Sequence, residues 1–227
     1  VDNTRPTSFK ERYIAEKKTL LKVSNLNQES ISNSLQNRIY ANFKNKIEKY
    51  DLVIFSDFNY GIFTEKFSMK LIDLIKKKKC FITADSQSSS QIGDITKFKN
   101  IDLITPTEYE SRIALRNNND GLVVLAKDLI KKTKSKYVII KLGEDGVIIQ
   151  SNKKVQNLIT DRLPPFNQLP IDISGAGDSM LVGASLSLAC KFNIWESILI
   201  GNILASIQVS RIGNVPINFK ELLKNII

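Results

Sequence analysis

Residues 51–84 read DLVIFSDFNYGIFTEKFSMKLIDLIKKKKCFITA. The first six letters are a short apolar run of the kind that fills a buried strand, and CFITA at 80–84 is another. Between them, apolar residues recur at helical spacing over 65–77, and the helix runs out into the basic stretch Lys76 to Lys79. Cations suit the carbonyl end of a helix, so that stretch reads as a solvated helix terminus. Strand, helix and strand in that order make a parallel pair joined by a crossover.

The same alternation continues downstream. A strand is expected at 101–105, helices at 107–116 and 120–132, and a strand at 137–141. Strands at 147–150 and 153–158 are expected to pair antiparallel across Ser151-Asn152, a turn-forming pair. A looser stretch with three prolines, 161–170, leads to two strongly apolar helices at 176–190 and 194–209 and a last helix at 218–226. Upstream lie strand-like runs at 12–15 and 20–23. A long polar helix over 28–47 then carries the stripe Ile31, Leu35, Ile39, Phe43 and Ile47. The pattern predicts an α/β protein whose mostly parallel sheet is covered on both faces. Ligands in such proteins bind beyond the carboxyl ends of the strands. No repeat or low-complexity tract interrupts the 227 residues, and one domain is expected.

Composition narrows the chemistry. The chain has no histidine and two cysteines, Cys80 and Cys190. That excludes Ser-His-Asp and Cys-His catalysis, histidine-ligated zinc and a four-thiolate zinc site. The two thiols cannot build a disulfide framework, and a reducing cytoplasm is the simplest home. The longest weakly polar run, 180–190, is too short to span a bilayer, and VDNTRPTSFKER at the start lacks the apolar core of a signal peptide. No membrane association is therefore expected. The net charge of +10, from 33 basic and 23 acidic residues, suits anionic partners. No aromatic-interleaved basic patch accompanies it, so small anions such as ATP and sugar phosphates are expected and nucleic acid is not.

Residues 172–178 read DISGAGD and run straight into an apolar helix. The amides of Gly175, Ala176 and Gly177 would stand unpaired at that helix's N-terminus, where the dipole also favours negative charge. They would form a cradle for an anion, and Asp178 in the first turn could take a proton from a hydroxyl held beside it. A plain helix start with a favourably placed carboxylate is the simpler alternative.

The longer string resembles the D-x-S/T-G-A-G-D signature of the PfkB, or ribokinase-like, carbohydrate kinases. The resemblance implies a three-layer α/β/α fold with a small β lid, Asp178 as catalytic base, and the 175–177 amides stabilising charge on the transferring phosphoryl group. IIKLGEDGV at 139–147 is similar to the family's V-x-T-L-G-x-x-G turn beside the nucleotide. On that likeness Lys141, Gly143 and Gly146 are cofactor-binding candidates, and Lys141 stands where threonine is common. Asp172, which opens the signature, and Asn202 and Thr107 are cofactor-binding candidates on the same resemblance. Asn202 and Ala205 lie on the helix that flanks adenine in relatives, and Gly213 is similar to the glycine that follows it. TPTEYE at 105–110 resembles T-P-N-x-x-E, with Thr107 in place of asparagine and Glu110 as the carboxylate that organises magnesium-bound water. Glu110 would otherwise serve as a helix-start carboxylate next to Pro106.

RPTSFKER at 5–12, LLKV at 20–23 and YDLVIFSDFNYG at 50–61 follow the order seen in the heptose-phosphate kinase branch. The chain departs from it at Asn59-Tyr60-Gly61, where a lysine precedes the glycine, and at 85–88, where relatives read D-P-K-G. Arg5, Lys10 and Arg12 fall on the lid and suit a substrate that already carries a phosphate; exposed charges on an edge strand are the alternative. Family members carry a further segment ahead of this stretch. The expectation is thus one PfkB-type domain over 1–227 without its N-terminal segment, with lid strands over about 1–25 and an α/β core over 26–227. The implied function is ATP- and Mg2+-dependent phosphorylation of a sugar or sugar phosphate, a heptose or hexose phosphate at its anomeric hydroxyl. A nucleotide-binding but catalytically incomplete fragment, or a kinase for another small sugar, stays open. A homodimer through the lid is the implied assembly.

Overall fold

A computed structural model describes residues 2, 5–15, 18–89 and 91–225. Two strands, β1 (Phe9–Ala15) and β2 (Lys18–Asn25), form an antiparallel two-stranded sheet. Helix α1 (Asn33–Lys46) follows, and then β3 (Leu52–Asp57), α2 (Glu65–Lys77) and β4 (Phe81–Ser86) make the crossover unit foreseen in 51–84. After β5 (Leu103–Ile104) come α3 (Glu108–Leu115), α4 (Leu122–Thr133), β6 (Tyr137–Lys141), β7 (Val147–Val155) and β8 (Leu158–Leu163). Helices α5 (Ala176–Ala189), α6 (Ile194–Val209) and α7 (Phe219–Lys224) complete the described chain.

The larger sheet has strand order β3-β4-β5-β6-β7-β8, parallel from β3 to β6 and antiparallel beyond. Successive side chains on a strand point to opposite faces, and the sequence uses both. Ile82, Ala84, Ile104, Val138, Ile140 and Ile148 pack with Phe67, Leu71 and Ile75 of α2 and Leu125 and Leu129 of α4. Leu103, Ile139, Val147 and Ile149 face the other way, onto Met180, Ala184 and Leu188 of α5 and Ile194 and Ile198 of α6. The result is a three-layer α/β/α domain with a small antiparallel sheet beside it.

Several boundaries differ from the sequence reading. The hairpin of β7 and β8 turns at Gln156-Asn157, both with positive φ, and not at Ser151-Asn152. Two successive left-handed residues match the twist of a two-residue hairpin, and Ser151 and Asn152 instead continue β7. Helix α1 starts at Asn33 because the Ser32 side chain accepts the Leu35 N–H and caps it; residues 28–31 precede the helix. β5 keeps only two of the five residues expected. The expected end of the last helix at Ile226 lies outside the described residues.

Candidate active site

Period-two alternation also builds the site. On β4, Phe81, Thr83 and Asp85 share a face; Leu103 and Thr105 continue it in the neighbouring strand, and Tyr137, Ile139 and Lys141 on β6. Ser185 of α5 donates to Thr83 Oγ1 at 2.9 Å, so this face is the one α5 covers. Asp85, Thr105 and Lys141 are the last residues of those columns. They therefore emerge at the carboxyl ends of the strands, beneath the start of α5.

There Lys141 Nζ donates to both Asp85 oxygens, at 3.0 and 3.1 Å, and Thr105 Oγ1 donates to Asp85 Oδ1 at 3.2 Å. Asp85 is buried, with 2% of its surface exposed. The helix start sits directly above. Gly175 has φ +80° as the cap of α5, with no side-chain hydrogen bond to the first-turn amides; of the three amides expected to stand unpaired, that of Ala176 instead donates to Ile173 O at 3.3 Å, closing the turn into the helix. A Cβ on Gly177 would stand 3.3 Å from Lys141 Nζ, so the cradle amides and the ammonium are neighbours.

Asp178, in the first turn of α5, is half-buried. Its carboxyl lies above the usual aspartate range because burial disfavours the charge; the Asp85 carboxylate raises it further, and Lys141 opposes both. Helix α6, packed along α5, carries a single carboxylate, Glu196, engaged in the capping box at its own N-terminus. A carboxylate raised in this way by burial at a cleft is a candidate proton acceptor.

The loop leading in is pinned. Asp172 accepts from the amides of Ser174 and Gly213, each at 2.9 Å. Those two backbone bonds hold its carboxyl below the usual range, with the Ser174 hydroxyl and the Arg12 guanidinium adding to the effect. Gln208 ties the same segments by donating to Ser174 O and Gly213 O. Asp172 thus acts as a brace of the cradle loop.

A cleft of about 1100 Å³ opens from Lys141, Ala176 and Gly177. Thr107, Gly143 and Gly146 also line it, as do Asn202 and Ala205 on α6. Asn202 Nδ2 donates to Pro164 O at 2.8 Å, fixing the far wall. Glu110 is buried and engaged: Oε2 accepts the Thr107 N–H in a capping box and Oε1 accepts the Ser88 N–H, both at 2.7 Å. Among the described residues no group of three or more Cys, Asp or Glu side chains could hold a metal ion.

The lid candidates are not gathered at the cleft. Arg5 donates to Glu29 O and Tyr60 O, at 2.7 Å each, clamping two loops. Lys10 reaches Ser89 Oγ at 3.0 Å and lies over the Tyr60 ring, and Arg12 is exposed on the side of Asp172. Two features escaped the sequence reading. One is Asp85, whose signal was a carboxylate ending an otherwise buried strand. The other is a buried pair of Asp57 and Lys97, joined by Ser86 and Asn59 at the ends of β3 and β4. No local spacing announces a partner so far along the chain.

Comparison with known proteins agrees with this fold. The family described as pfkB family carbohydrate kinase matches residues 1–218. The bifunctional protein HldE of Aliarcobacter butzleri is 26% identical over 225 residues, 98% of this chain and 45% of that protein. HldE of Campylobacter jejuni strain RM1221 is 29% identical over 98% of this chain and 46% of its own length. The chain thus spans about half the length of the curated relatives it matches. Among solved structures, ribokinase from Giardia lamblia aligns with a TM-score of 0.72 at 20% identity, covering 96% of this chain and 72% of that one. Phosphofructokinase-2 from Escherichia coli in complex with substrates and products aligns with a TM-score of 0.71 at 16% identity, covering 96% and 68%. These two likenesses bear on the fold alone.

Proposed function

Since the chain belongs to the pfkB family of carbohydrate kinases, we propose that it transfers the terminal phosphoryl group of ATP to a hydroxyl of a sugar or sugar phosphate. The observation that carries this is one juxtaposition at the cleft: a helix start at 175–177 with no side-chain cap, its Ala176 N–H engaged only by Ile173 O at 3.3 Å, a half-buried Asp178 with a raised carboxyl, and the Lys141 ammonium beside Gly177. The acceptor oxygen forms the new bond to phosphorus as the bond to ADP breaks, and the hydroxyl proton passes to the Asp178 carboxylate. The three amides take up charge on the transferring group. Gly143, Gly146, Thr107, Asn202 and Ala205 line the nucleotide's part of the cleft. Magnesium would be held largely by the nucleotide's own phosphates, with Glu110 the candidate carboxylate on the protein side, and would supply charge neutralisation there.

The narrower reading is a heptose or hexose phosphate phosphorylated at the anomeric hydroxyl, supported by the order of RPTSFKER, LLKV and SDFNYG in the first quarter of the chain. In this reading β1 and β2 are the lid over a single kinase domain, and Arg12 faces the incoming phosphate. The exposed Phe9, Tyr13, Leu20, Leu21 and Val23 on the same sheet support pairing of two lids in a homodimer. The free thiols Cys80 and Cys190 fit a cytoplasmic setting. A second reading, nucleotide binding without turnover, is favoured by the commitment of Arg5 and Lys10 to other protein groups.

Calorimetric titration with a non-hydrolysable Mg-ATP analogue, with and without a panel of sugar phosphates, separates these readings. Nucleotide binding strengthened by one sugar phosphate is the expected result and identifies the acceptor. Nucleotide binding indifferent to every sugar phosphate supports the second reading. Absence of nucleotide binding overturns both.

A further inference from the structure

Asp178 and Asp85 stand together below the anion cradle, and two carboxylates there oppose the arrival of a phosphate chain. Lys141 is the group that offsets them. Two of its ammonium protons are directed at Asp85, at 3.0 and 3.1 Å, and its nitrogen lies beside Gly177, within reach of any anion the amides hold. Asp85 is buried and takes a further bond from Thr105, so its position is set by the sheet. The Lys141 side chain is 14% exposed and opens to the cleft. A lysine on its own is a flexible point charge with four rotatable carbons. One tethered to a fixed carboxylate is already placed. The carboxylate that the family resemblance would assign to a metal, Glu110, is occupied by two backbone N–H groups.

Resting on the kinase reading above, the geometry points to Asp85 as a positioning residue that holds the Lys141 ammonium at the cradle as the protein's own fixed cation, and shares it with the phosphate when nucleotide binds. Asp85 touches no reacting atom in this scheme. Its action passes through Lys141, so the two residues must be energetically coupled.

The test is calorimetry of the full chain with ATP in excess EDTA, which reads the protein's own cation without magnesium. Lys141→Met is expected to weaken binding about ten- to a hundred-fold, the range for losing a charge-assisted hydrogen bond. Lys141→Arg, which keeps the charge, should stay within several-fold of wild type. Asp85→Asn should cost several-fold affinity while Lys141 is present, because the freed ammonium must be ordered on the phosphate. In the Lys141→Met background it removes only a carboxylate that opposes the phosphate, so it should cost nothing and instead strengthen binding. If Lys141→Met fails to fold with Asp85 left buried and unpaired, comparing Asp85→Asn with Asp85→Asn/Lys141→Met reads the same lysine contribution in a neutral setting. Unchanged affinity in Lys141→Met, or in the double variant relative to Asp85→Asn, overturns the proposal. An equal effect of Asp85→Asn in both backgrounds also overturns it, since Asp85 would then act independently. If the wild-type chain binds neither ATP in EDTA nor the Mg-ATP analogue, the kinase reading fails and this inference with it. Wild-type binding only with magnesium overturns this inference alone.

Discussion

Gly143 and Gly146 bracket the turn between β6 and β7, and alanine at each should separate two costs that the shared motif does not distinguish. Both have positive φ, +63° and +83°. At Gly143 an added Cβ meets nothing within 4 Å, so only the backbone cost remains, about 1–2 kcal/mol. Gly146 differs in two ways. Its ψ of −128° puts it in a region that glycine alone visits readily, worth about 1–3 kcal/mol. Its Cβ would also stand 2.1 Å from the Leu163 carbonyl oxygen and 2.9 Å from the Pro164 Cα. These are backbone atoms at the end of β8, which cannot swing aside as a side-chain tip can. Forcing them apart adds about 1–3 kcal/mol of overpacking. Gly146→Ala should therefore lose about 2–6 kcal/mol against 1–2 for Gly143→Ala. Moving Pro164 also disturbs the carbonyl that accepts from Asn202, so the nucleotide wall shifts with the fold. Urea unfolding of both variants, compared by midpoint at unchanged slope, measures the difference. Equal losses, or a larger loss at Gly143, would refute the claim that the Leu163 contact decides the cost.

Three further outcomes can be measured. Asp178→Asn should lower turnover by about 10²–10⁴-fold while nucleotide affinity persists; steady-state rates and titration check this, and undiminished turnover removes Asp178 from the chemistry. Because the base must be ionised and its carboxyl is raised by burial and then by Asp85, kcat/KM should be complete above that raised value and fall as pH drops through it. The acid limb should thus lie above that of an ordinary aspartate, and Asp85→Asn should move it down; a limb at the ordinary position speaks against the assigned environment. Lys97→Met strands the buried Asp57 and should cost about 3–5 kcal/mol in chemical denaturation, whereas a loss below about 1 kcal/mol would mean that Asp57 is not held by that pair.

The fold was readable because its signals are local. Each parallel strand is a short apolar run, α1, α2, α3, α6 and α7 each start on a capping side chain, and β6 and α6 begin and end where the pattern says. The hairpin turn was misplaced because Ser151-Asn152 has turn chemistry while Gln156-Asn157 has the required backbone. Of the site, the parts carried by one contiguous string were legible: the cradle glycines and Asp178. What was not legible depends on register between strands. Nothing in the neighbourhood of Asp85 marks its meeting with Lys141, nor does anything near Asp57 foretell Lys97. Glu110 shows the opposite limit, since its motif is present in letters while its oxygens serve the backbone.

The consecutive strand order has a consequence for how the molecule assembles. Every hydrogen-bonded neighbour among the described strands of the large sheet is also the next strand in the chain, so each pairing closes a shorter loop than any contact that skips a strand. The contacts that create the chemistry are of another kind. Lys141 reaches Asp85 across 56 positions, and Ser185 reaches Thr83 across 102. Both await the docking of the α5–α6 hairpin or the completion of β6. The pairing of neighbouring strands therefore comes before the candidate site, and a chain still emerging during synthesis would hold most of the described sheet before Lys141 and α5 had met.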